Sequence, residues 1–393
     1  MVKKEVVFLC GSSMAVMLGF GIVGPILPQY ILTFNASYTL AGFVISAFPL
    51  ARMLFNFPSG ILADRIGRRR PLLLGIVIVT LSALGCGLAQ SIYELILFRF
   101  IFGAGTAMFV IVANVIIADI APPNERGKYL SYYQGSFRFG SIFGPAIGGF
   151  IAELAGLRTP FFFLAGLGAL SVGLTFLLIQ EEPHTRHAMT ALNVGRLLRL
   201  LMDRRLAAIE VTQMASFLTM SSIRTTMLPL YGVDYLGLSV SEIGTILSIG
   251  ALVSFPTLMI MSNMIDRIQR NRIISVGFLG LAAAVFLYTL ANGFELVLVA
   301  TVILSVSQIL INPSKSAIIG DITTPEIRGL VMGAFRTAGD IGFFVGPVMA
   351  GYLTDNVSVL SPFYLVTVLC VLSAMIAWYA LHASRLSRIE TIK

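Results

Sequence analysis

The chain has 393 residues, of which 57% are hydrophobic and only 12% charged, and its mean hydropathy is +0.90. This composition excludes an ordinary soluble domain and predicts a protein embedded in a lipid bilayer. The net charge of +8 is therefore interpreted as membrane topology, and no nucleic-acid partner is expected. The three cysteines and three histidines show no metal-ligand or redox spacing. We expect no metal, no cofactor and no enzymatic activity.

Twelve apolar runs are long enough to cross a bilayer, which takes about 20 residues. They cover residues 6–32, 40–63, 71–90, 93–119, 129–155, 158–179, 207–232, 240–263, 272–291, 294–320, 329–354 and 360–383, numbered here as predicted helices 1 to 12. The only long polar segment, 181–206, is predicted to link two domains, 1–180 and 207–393. The expected fold is all-α, with twelve transmembrane helices in two six-helix bundles.

Basic residues lie almost entirely on one side of these helices. The loops after even-numbered helices, both termini and the linker hold most of the 27 Lys and Arg residues, whereas the opposite loops hold only Arg158. Since Lys and Arg collect on the cytoplasmic side, both termini are predicted to be cytoplasmic, in an inner or plasma membrane. The basic residues left inside helices are Arg52, Arg99, Arg138, Arg224, Lys315 and Arg336.

The two halves of the sequence repeat at an offset of 202 residues. Asp64-Arg65 recurs as Asp266-Arg267, and Gly144-Pro145 recurs as Gly346-Pro347. Tyr30 of helix 1 matches Tyr231 of helix 7 at an offset of 201. Two parallel six-helix repeats predict bundles that rock against each other around a site near the membrane midplane.

The loop between helices 2 and 3 carries the most specific motif. Gly60, Asp64, Arg65, Gly67 and Arg68 fit the pattern G-x-x-x-D-R-x-G-R-R. An ordinary basic loop would explain the arginines but not the two glycines and the aspartate at this spacing. The pattern resembles the corresponding loop of the major facilitator superfamily, and the resemblance extends over the whole chain. It implies transport by alternating access.

The resemblance also implies a cytoplasmic gate. Asp119, at the end of helix 4, would bond Arg68 or a neighbour, and Asp321 with Arg328 would act likewise in the second half. The alternative is a set of solvated loop charges. The gate residues expected are Gly60, Asp64, Arg65, Gly67, Arg68, Asp119, Asp266, Arg267, Asp321 and Arg328.

Helix 5 contains glycines at every fourth position, Gly140, Gly144 and Gly148, followed by Gly149. They make one smooth face for close helix packing, and Pro145 can kink the helix. The ending Gly-Pro-x-x-Gly-Gly resembles the helix 5 motif of drug:proton antiporters in the superfamily and implies export. General GxxxG-type packing is the alternative.

Asp340 is the only carboxylate placed deep within a predicted helix. It lies 11 residues into helix 11, about 16 Å, and Arg52 lies about 18 Å from the cytoplasmic end of helix 2. We predict an ion pair between them that changes during rocking, with Arg336 as a competing partner. Asp340 is thus the first candidate for proton coupling, and a permanent structural salt bridge is the alternative. By resemblance to the helix 4 pattern R-x-x-x-G-x-G, Arg99 assists proton transfer; otherwise it reaches the headgroups.

Several polar and aromatic side chains are candidates for the substrate cavity. An interior with more cations than anions favours an anionic or zwitterionic substrate. The resemblance to the superfamily's exporters of cationic drugs implies an acidic residue in helix 1, but helix 1 here has none after Glu5, which weakens the prediction of a cationic drug. The cavity candidates are Tyr30, Asn114, Gln134, Arg138, Gln213, Arg224, Tyr231, Gln308, Asn312 and Lys315.

The sequence thus predicts a monomeric secondary transporter whose partners are a small molecule, protons and the bilayer. The first expectation is a proton-coupled exporter of small amphipathic compounds or drugs. One alternative is a transporter of an anionic metabolite, sugar or siderophore. Another is a receptor or lipid-handling protein on the same fold without coupled transport. No nucleotide-binding G-x-x-x-x-G-K-[ST] motif occurs, so ATP drive is not expected.

Overall fold

The computed structural model describes residues 4–120, 125–178, 203–264, 268–323 and 325–381. Within them, only the backbone is described at 4–7, 64, 118–119, 126–128, 130, 137, 178, 262–264 and 325–330. Asp266 and Arg267 lie outside the described residues, as do 179–202 of the predicted linker. The side chains of Asp64, Asp119 and Arg328 are also outside the description.

Every described element is helical, and the helices follow the predicted order. They are α1 (Lys4–Val23, resumed as Leu27–Leu32), α2 (Tyr38–Ile66), α3 (Arg69–Leu88), α4 (Ile92–Ile120), α5 (Arg126–Ala155), α6 (Thr159–Leu178), α7 (Arg204–Thr219, π-helical Met220–Met227, then Leu228–Asp234), α8 (Val240–Met264), α9 (Arg270–Thr289), α10 (Phe294–Ile322), α11 (Pro325–Asn356) and α12 (Ser361–Ala380). By length and composition, nine of the helices in these ranges could cross a membrane. The twelve-helix all-α prediction is confirmed.

The chain forms two compact units. Unit 1 is Met1–Met189 with Ser239–Ser248, and unit 2 is Thr190–Leu238 with Ile249–Lys393. The first part of α8 therefore packs with unit 1, in addition to the segments that the domain prediction assigned there.

Helix pairing inside the two units follows the sequence repeat. In unit 1, α1 packs against α5 and α6, and α3 packs against α4 and α6. In unit 2, α7 packs against α11 and α12, and α9 packs against α10 and α12. Each pair in unit 2 is the pair in unit 1 advanced by six helices, so the 202-residue repeat reflects two copies of one packing pattern.

The first helix of each unit is irregular at an equivalent place. The α1 helix is interrupted after Val23 and resumes at Leu27 with Pro28 in its first turn. In α7, a π-helical stretch ends at Met227, just before Pro229. The Thr226 hydroxyl donates to the Ser221 carbonyl five residues earlier at 2.8 Å, which fits the wider register. Such widened turns are frequent at functional sites.

The loop after α2 turns on a glycine. Gly67 has a φ of 87°, in the left-handed region that favours glycine, and it ends α2. The following Arg69 donates to the Phe176 carbonyl at 2.7 Å, and its guanidinium lies 5.2 Å from the Phe176 ring centre. The basic loop is thereby attached to the end of α6.

Candidate functional site

The interior of unit 2 holds a buried cation between α7 and α10. Lys315 is fully buried, and its ammonium donates to the Ser216 hydroxyl at 2.8 Å and the Thr212 carbonyl at 3.4 Å. The rings of Phe278 and Phe335 lie 6.0 and 5.7 Å from the ammonium nitrogen. The charge is therefore held by neutral oxygens and ring faces. Such contacts lower the cost of burying an ammonium group without neutralising it.

The same α10 face carries the other predicted amides. The Gln308 amide donates to the Ser216 carbonyl at 3.0 Å, and Asn312 donates to the Gln308 side-chain oxygen at 3.4 Å. The Asn312 oxygen is buried and has no hydrogen-bond partner among the described residues. Gln308, Asn312 and Lys315 thus form one polar row that meets α7 at Ser216.

A carboxyl group that the sequence reasoning missed lies nearby on α7. Both side-chain oxygens of Glu210 are buried without a hydrogen-bond partner in the described structure, and so is the Oε1 atom of Gln213. The Lys315 ammonium acts electrostatically on Glu210. Glu210 lies six residues inside α7, because the helix begins at Arg204 and not at the predicted 207. Arg204 and Arg205 begin the helix, but their charges led to their assignment to the predicted linker.

The predicted coupling residues of unit 2 lie on α11. Asp340 is buried with 6% of its surface exposed, whereas Arg336, one turn earlier, is exposed. Next to Asp340, an added Cβ at Gly339 would meet the Gln213 amide nitrogen at 3.1 Å. The structure therefore places Asp340 at the level of the α7 polar side chains. Arg52 belongs to unit 1, and its pairing with Asp340 stays a prediction.

The π-helical stretch of α7 contains Arg224, which is half-buried. Tyr288 of α9 acts electrostatically on this guanidinium, and the Tyr288 hydroxyl forms a 2.8 Å hydrogen bond with Thr301. Tyr231 is buried between the rings of Tyr235 and Phe363, at centroid distances of 5.7 and 5.3 Å. Arg224 thus lies near the Tyr288–Thr301 pair, while Tyr231 belongs to an aromatic cluster.

In unit 1, Arg99 lies among aromatic rings. Only 5% of Arg99 is exposed, and its guanidinium lies 5.2 Å from the Phe48 ring centre and 5.6 Å from that of Phe102. Its Nε atom has no hydrogen-bond partner among the described residues. The Arg52 guanidinium lies 5.7 Å from the same Phe48 ring. The structure thus brings Arg52 and Arg99 to one aromatic group in the interior of the unit.

The other unit 1 candidates are dispersed. The Tyr30 hydroxyl donates to the Cys86 carbonyl at 3.0 Å, which ties α1 to the end of α3. Asn114 donates to the Val110 carbonyl of its own helix at 2.7 Å. Gln134 is exposed and Arg138 is half-buried, both on α5. These four side chains do not converge on a common point in the described contacts.

The glycines of α5 lie against the α1 backbone. An added Cβ would come within 2.4 Å of the Leu18 nitrogen at Gly140, 2.7 Å of Gly21 Cα at Gly144 and 2.0 Å of the Ile22 oxygen at Gly148. These distances are far below van der Waals contact. The stripe therefore sets how closely α1 and α5 approach.

The Gly-Pro-x-x-Gly-Gly ending also contacts the start of α8 within unit 1. A Cβ at Gly149 would lie 2.6 Å from the Val240 carbonyl oxygen, and one at Gly244 would lie 2.3 Å from the Pro145 carbonyl oxygen. The Ala146 backbone N–H donates to the Ser248 hydroxyl at 2.9 Å. The motif thus lets the start of α8 pack directly against the backbone of α5.

Asp321, one of the predicted gate residues, forms an ion pair in unit 2 with Arg270; the side chain of its expected partner, Arg328, lies outside the description. The Arg270 guanidinium donates to the Asp321 carboxylate. Arg270 and Asp321 are the repeat equivalents of Arg68 and Asp119, so the arrangement expected in the first half is present in the second. Gly60 is half-buried and Arg65 exposed at the end of α2.

The described residues contain no group of three or more His, Cys, Asp or Glu that could hold a metal ion. The free thiols of Cys86 and Cys370 are buried in different units.

Comparison with known proteins identifies the fold and the relatives. The sequence profile of the Major Facilitator Superfamily matches residues 9–235 and 209–391. Multidrug resistance protein 2 of Bacillus subtilis is 25% identical over 364 residues, covering 90% of this chain and 89% of that protein. Quinolone resistance protein NorA of Staphylococcus aureus is 25% identical over 365 residues, covering 92% and 93%. A crystal structure of a D-xylose-proton symporter superposes with a TM-score of 0.77 at 18% identity, covering 98% of this chain and 99% of that one.

Proposed function

The chain belongs to the Major Facilitator Superfamily, and on this premise we propose that it is a proton-coupled exporter of small amphipathic compounds. It is a multi-pass membrane transporter by family. The proposed cycle is antiport by alternating access, with a proton entering as the compound leaves.

Two observations support export of amphipathic compounds. Relatives over about nine-tenths of the chain carry the names of multidrug and quinolone resistance proteins. The Gly-Pro-x-x-Gly-Gly motif, which resembles that of drug:proton antiporters, lies at backbone distance from α1 and α8 in unit 1. A helix with this smooth face can slide or bend against its neighbours with few side-chain clashes.

The observation that carries proton coupling is the burial of Asp340. A carboxylate in the middle of a membrane helix is costly unless it is paired or protonated. Asp340 has 6% exposure on α11, so changes in its pairing or protonation alter the energy of the interior. Arg52, Arg99 and Arg336 are the proposed partners in proton transfer.

The proposal places the protein in the plasma membrane as a monomer with both termini on the cytoplasmic side. The distribution of Lys and Arg supports this orientation. Thiol labelling of single cysteines introduced at Arg65 and Arg158 tests it, since only the Arg158→Cys protein should react with an impermeant reagent added outside intact cells.

Transport in proteoliposomes tests the function. The wild-type protein, Asp340→Asn and Asp355→Asn are reconstituted, and uptake of ethidium is followed with and without an imposed pH gradient. Asp355 is exposed on the same helix and serves as the matched control. We expect gradient-driven movement in the wild type and in Asp355→Asn, and its loss in Asp340→Asn. Unchanged driven flux in Asp340→Asn would assign this carboxylate a structural role, and absence of any flux would favour a receptor or lipid-handling function.

An anionic cargo is the second candidate function. It is favoured by Lys315, whose fully buried ammonium is hydrogen-bonded only to uncharged groups in the described structure. An organic anion such as fluorescein is therefore included in the same assay. Movement of the anion without movement of ethidium would select this alternative.

A further inference from the structure

Glu210 and Gln213 present two unsatisfied acceptors on one face of α7. Residues three apart on a helix are neighbours. Both Glu210 oxygens and the Gln213 Oε1 atom are buried, and none of them has a hydrogen-bond partner among the described residues. Buried polar atoms are nearly always hydrogen-bonded in folded proteins. One additional donor at this point would satisfy both side chains.

Among the described residues, the surroundings supply no such donor but do supply a positive charge. Lys315 on α10 is held by Ser216 and Thr212, and it acts on Glu210 only electrostatically. On α11, which packs against α7, Arg336 is exposed and Asp340 is buried.

Among the side chains that the structure describes, the remaining neighbours of Glu210 contribute no further counter-charge. The α12 helix has no charged residue, and its Cys370 thiol is hydrogen-bonded to Thr219. On α7 itself, Arg204 and Arg205 are at the first turn and Arg224 is in the π-helical stretch. Among the described side chains, Lys315 is therefore the buried cation that acts on the Glu210 carboxyl group.

We propose that Glu210 is a proton-binding site, with its protonated carboxyl group hydrogen-bonded to the Gln213 side chain and Lys315 as the counter-charge when the proton leaves. In the protonated state the neutral carboxyl group supplies the missing donor. In the deprotonated state the proton has passed to water, and the carboxylate is stabilised by the ammonium of Lys315. The net charge of the Glu210–Lys315 pair thus alternates between plus one and zero with each proton.

This assignment adds a second titrating carboxyl group to unit 2. The protonation of Glu210 is inferred from its buried, unpartnered oxygens, whereas its role in coupling rests on the proposed proton antiport. Glu210 lies about 9 Å inside α7 from its cytoplasmic start. Asp340 lies farther along the same interior, at the level of Gly339 and Gln213. Of these two carboxyl groups, Glu210 is therefore the one that a proton moving toward the cytoplasm leaves last.

Labelling of the purified wild-type protein with dicyclohexylcarbodiimide tests protonation without any substrate. This apolar reagent reacts with protonated carboxyl groups, and mass spectrometry of the peptides locates the product. We expect labelling of Glu210 at neutral pH that falls roughly tenfold per pH unit beyond its midpoint. Glu153, which is exposed on α5, is the internal control and should remain unlabelled. Equal labelling of the two at neutral pH would overturn the proposal.

The Lys315→Met protein tests the counter-charge. Removing the ammonium removes the partner of the carboxylate, so labelling of Glu210 should extend into more alkaline buffers. If the labelling profile is the same in wild type and Lys315→Met, Lys315 is not the counter-charge and the proposal fails in that part.

Gradient-driven ethidium transport separates this inference from the proposed function. We expect Glu210→Gln to lose gradient-driven accumulation while keeping downhill exchange, and Glu210→Asp to recover part of the driven flux because it keeps an ionisable group. Full driven flux in Glu210→Gln would overturn the coupling role while leaving the antiporter proposal intact. Absence of driven flux in the wild type would overturn antiport, and the carbodiimide result would still decide whether Glu210 binds a proton.

Discussion

Replacing Gly148 by alanine tests whether α1 and α5 are held at backbone distance. The added methyl group would lie 2.0 Å from the Ile22 carbonyl oxygen and 2.7 Å from the Ile22 Cα, so the two helices must separate. Overpacking of this kind costs about 1–3 kcal/mol. Replacing a glycine inside a helix by alanine stabilises the folded state by about 0.5–1 kcal/mol. The free energy of unfolding should therefore fall by about 1–2 kcal/mol. For a unit of this size, each kcal/mol lowers the melting temperature by roughly 2–4 °C.

The control and the assay both come from the chain itself. Gly135 is on the same helix, and a Cβ there meets nothing within 4 Å, so Gly135→Ala should melt at or above the wild-type temperature. A thiol-reactive maleimide dye reports unfolding of unit 1 through the buried Cys86, in a background with Cys10 and Cys370 replaced. Equal melting temperatures for wild type and Gly148→Ala would refute the backbone-contact argument. An equal loss in Gly135→Ala would attribute the effect to the helix backbone.

Two smaller changes test other local contacts. Burial raises the pKa of Asp203, but hydrogen bonds from Arg205 and the Leu206 backbone outweigh it, so the pKa lies below its usual value. Asp203→Ala, which removes this N-cap of α7, should lower stability by about 1 kcal/mol at neutral pH. Because the pKa of Asp203 is lower in the folded state, the stability that its carboxylate contributes is present above about pH 4 and disappears as the pH falls through the folded pKa. Melting scans in which Asp203→Ala loses the same stability at every pH would contradict this argument. Ser248→Ala removes the hydroxyl that accepts the Ala146 N–H, a hydrogen bond that contributes about 1 kcal/mol. Deuterium exchange of the Ala146 amide should therefore become faster. Thr245→Ala is the control, because the Thr245 hydroxyl is hydrogen-bonded within α8, and it should leave this exchange unchanged.

The helices could be predicted because their signal is local. Runs of about 20 apolar residues mark membrane helices regardless of packing, and the 202-residue repeat is visible in the letters alone. The start of α7 was placed late because Arg204 and Arg205 read as linker, although Asp203 before them is an N-cap whose carboxylate accepts the Arg205 N–H at 2.9 Å. Glu210 is therefore six residues inside α7 and not three, as the predicted start at 207 implied.

The contacts of the site could not be predicted because they join distant parts of the chain. The Ser216 hydroxyl and the Thr212 carbonyl that hold Lys315 come from a helix about 100 residues earlier, and no periodicity of the sequence specifies which polar group a lysine will reach. The π-helical Met220–Met227 is equally hidden, since it depends on hydrogen bonds such as that from Thr226 to Ser221 and not on a pattern of apolar residues.

The buried cations link proton coupling to the charge of the transported compound. Arg99 lies over the Phe48 and Phe102 rings and Lys315 is held by neutral oxygens, so neither has a hydrogen-bonded carboxylate among the described residues. Ring faces contribute about 0.5–2 kcal/mol each, less than the several kcal/mol needed to bury a charge, so each cation still attracts an anion.

At Lys315 that anion can be the deprotonated Glu210 or a transported compound, and one ammonium cannot fully stabilise both. Loss of the Glu210 proton should therefore weaken binding of an anionic cargo, and binding of that cargo should keep Glu210 protonated. A cationic cargo would show the opposite linkage, because it gains from the deprotonated carboxylate. The sign of the pH dependence of binding, compared between wild type and Glu210→Gln, consequently distinguishes the two substrate classes, and an identical pH dependence in both proteins would remove Glu210 from the argument.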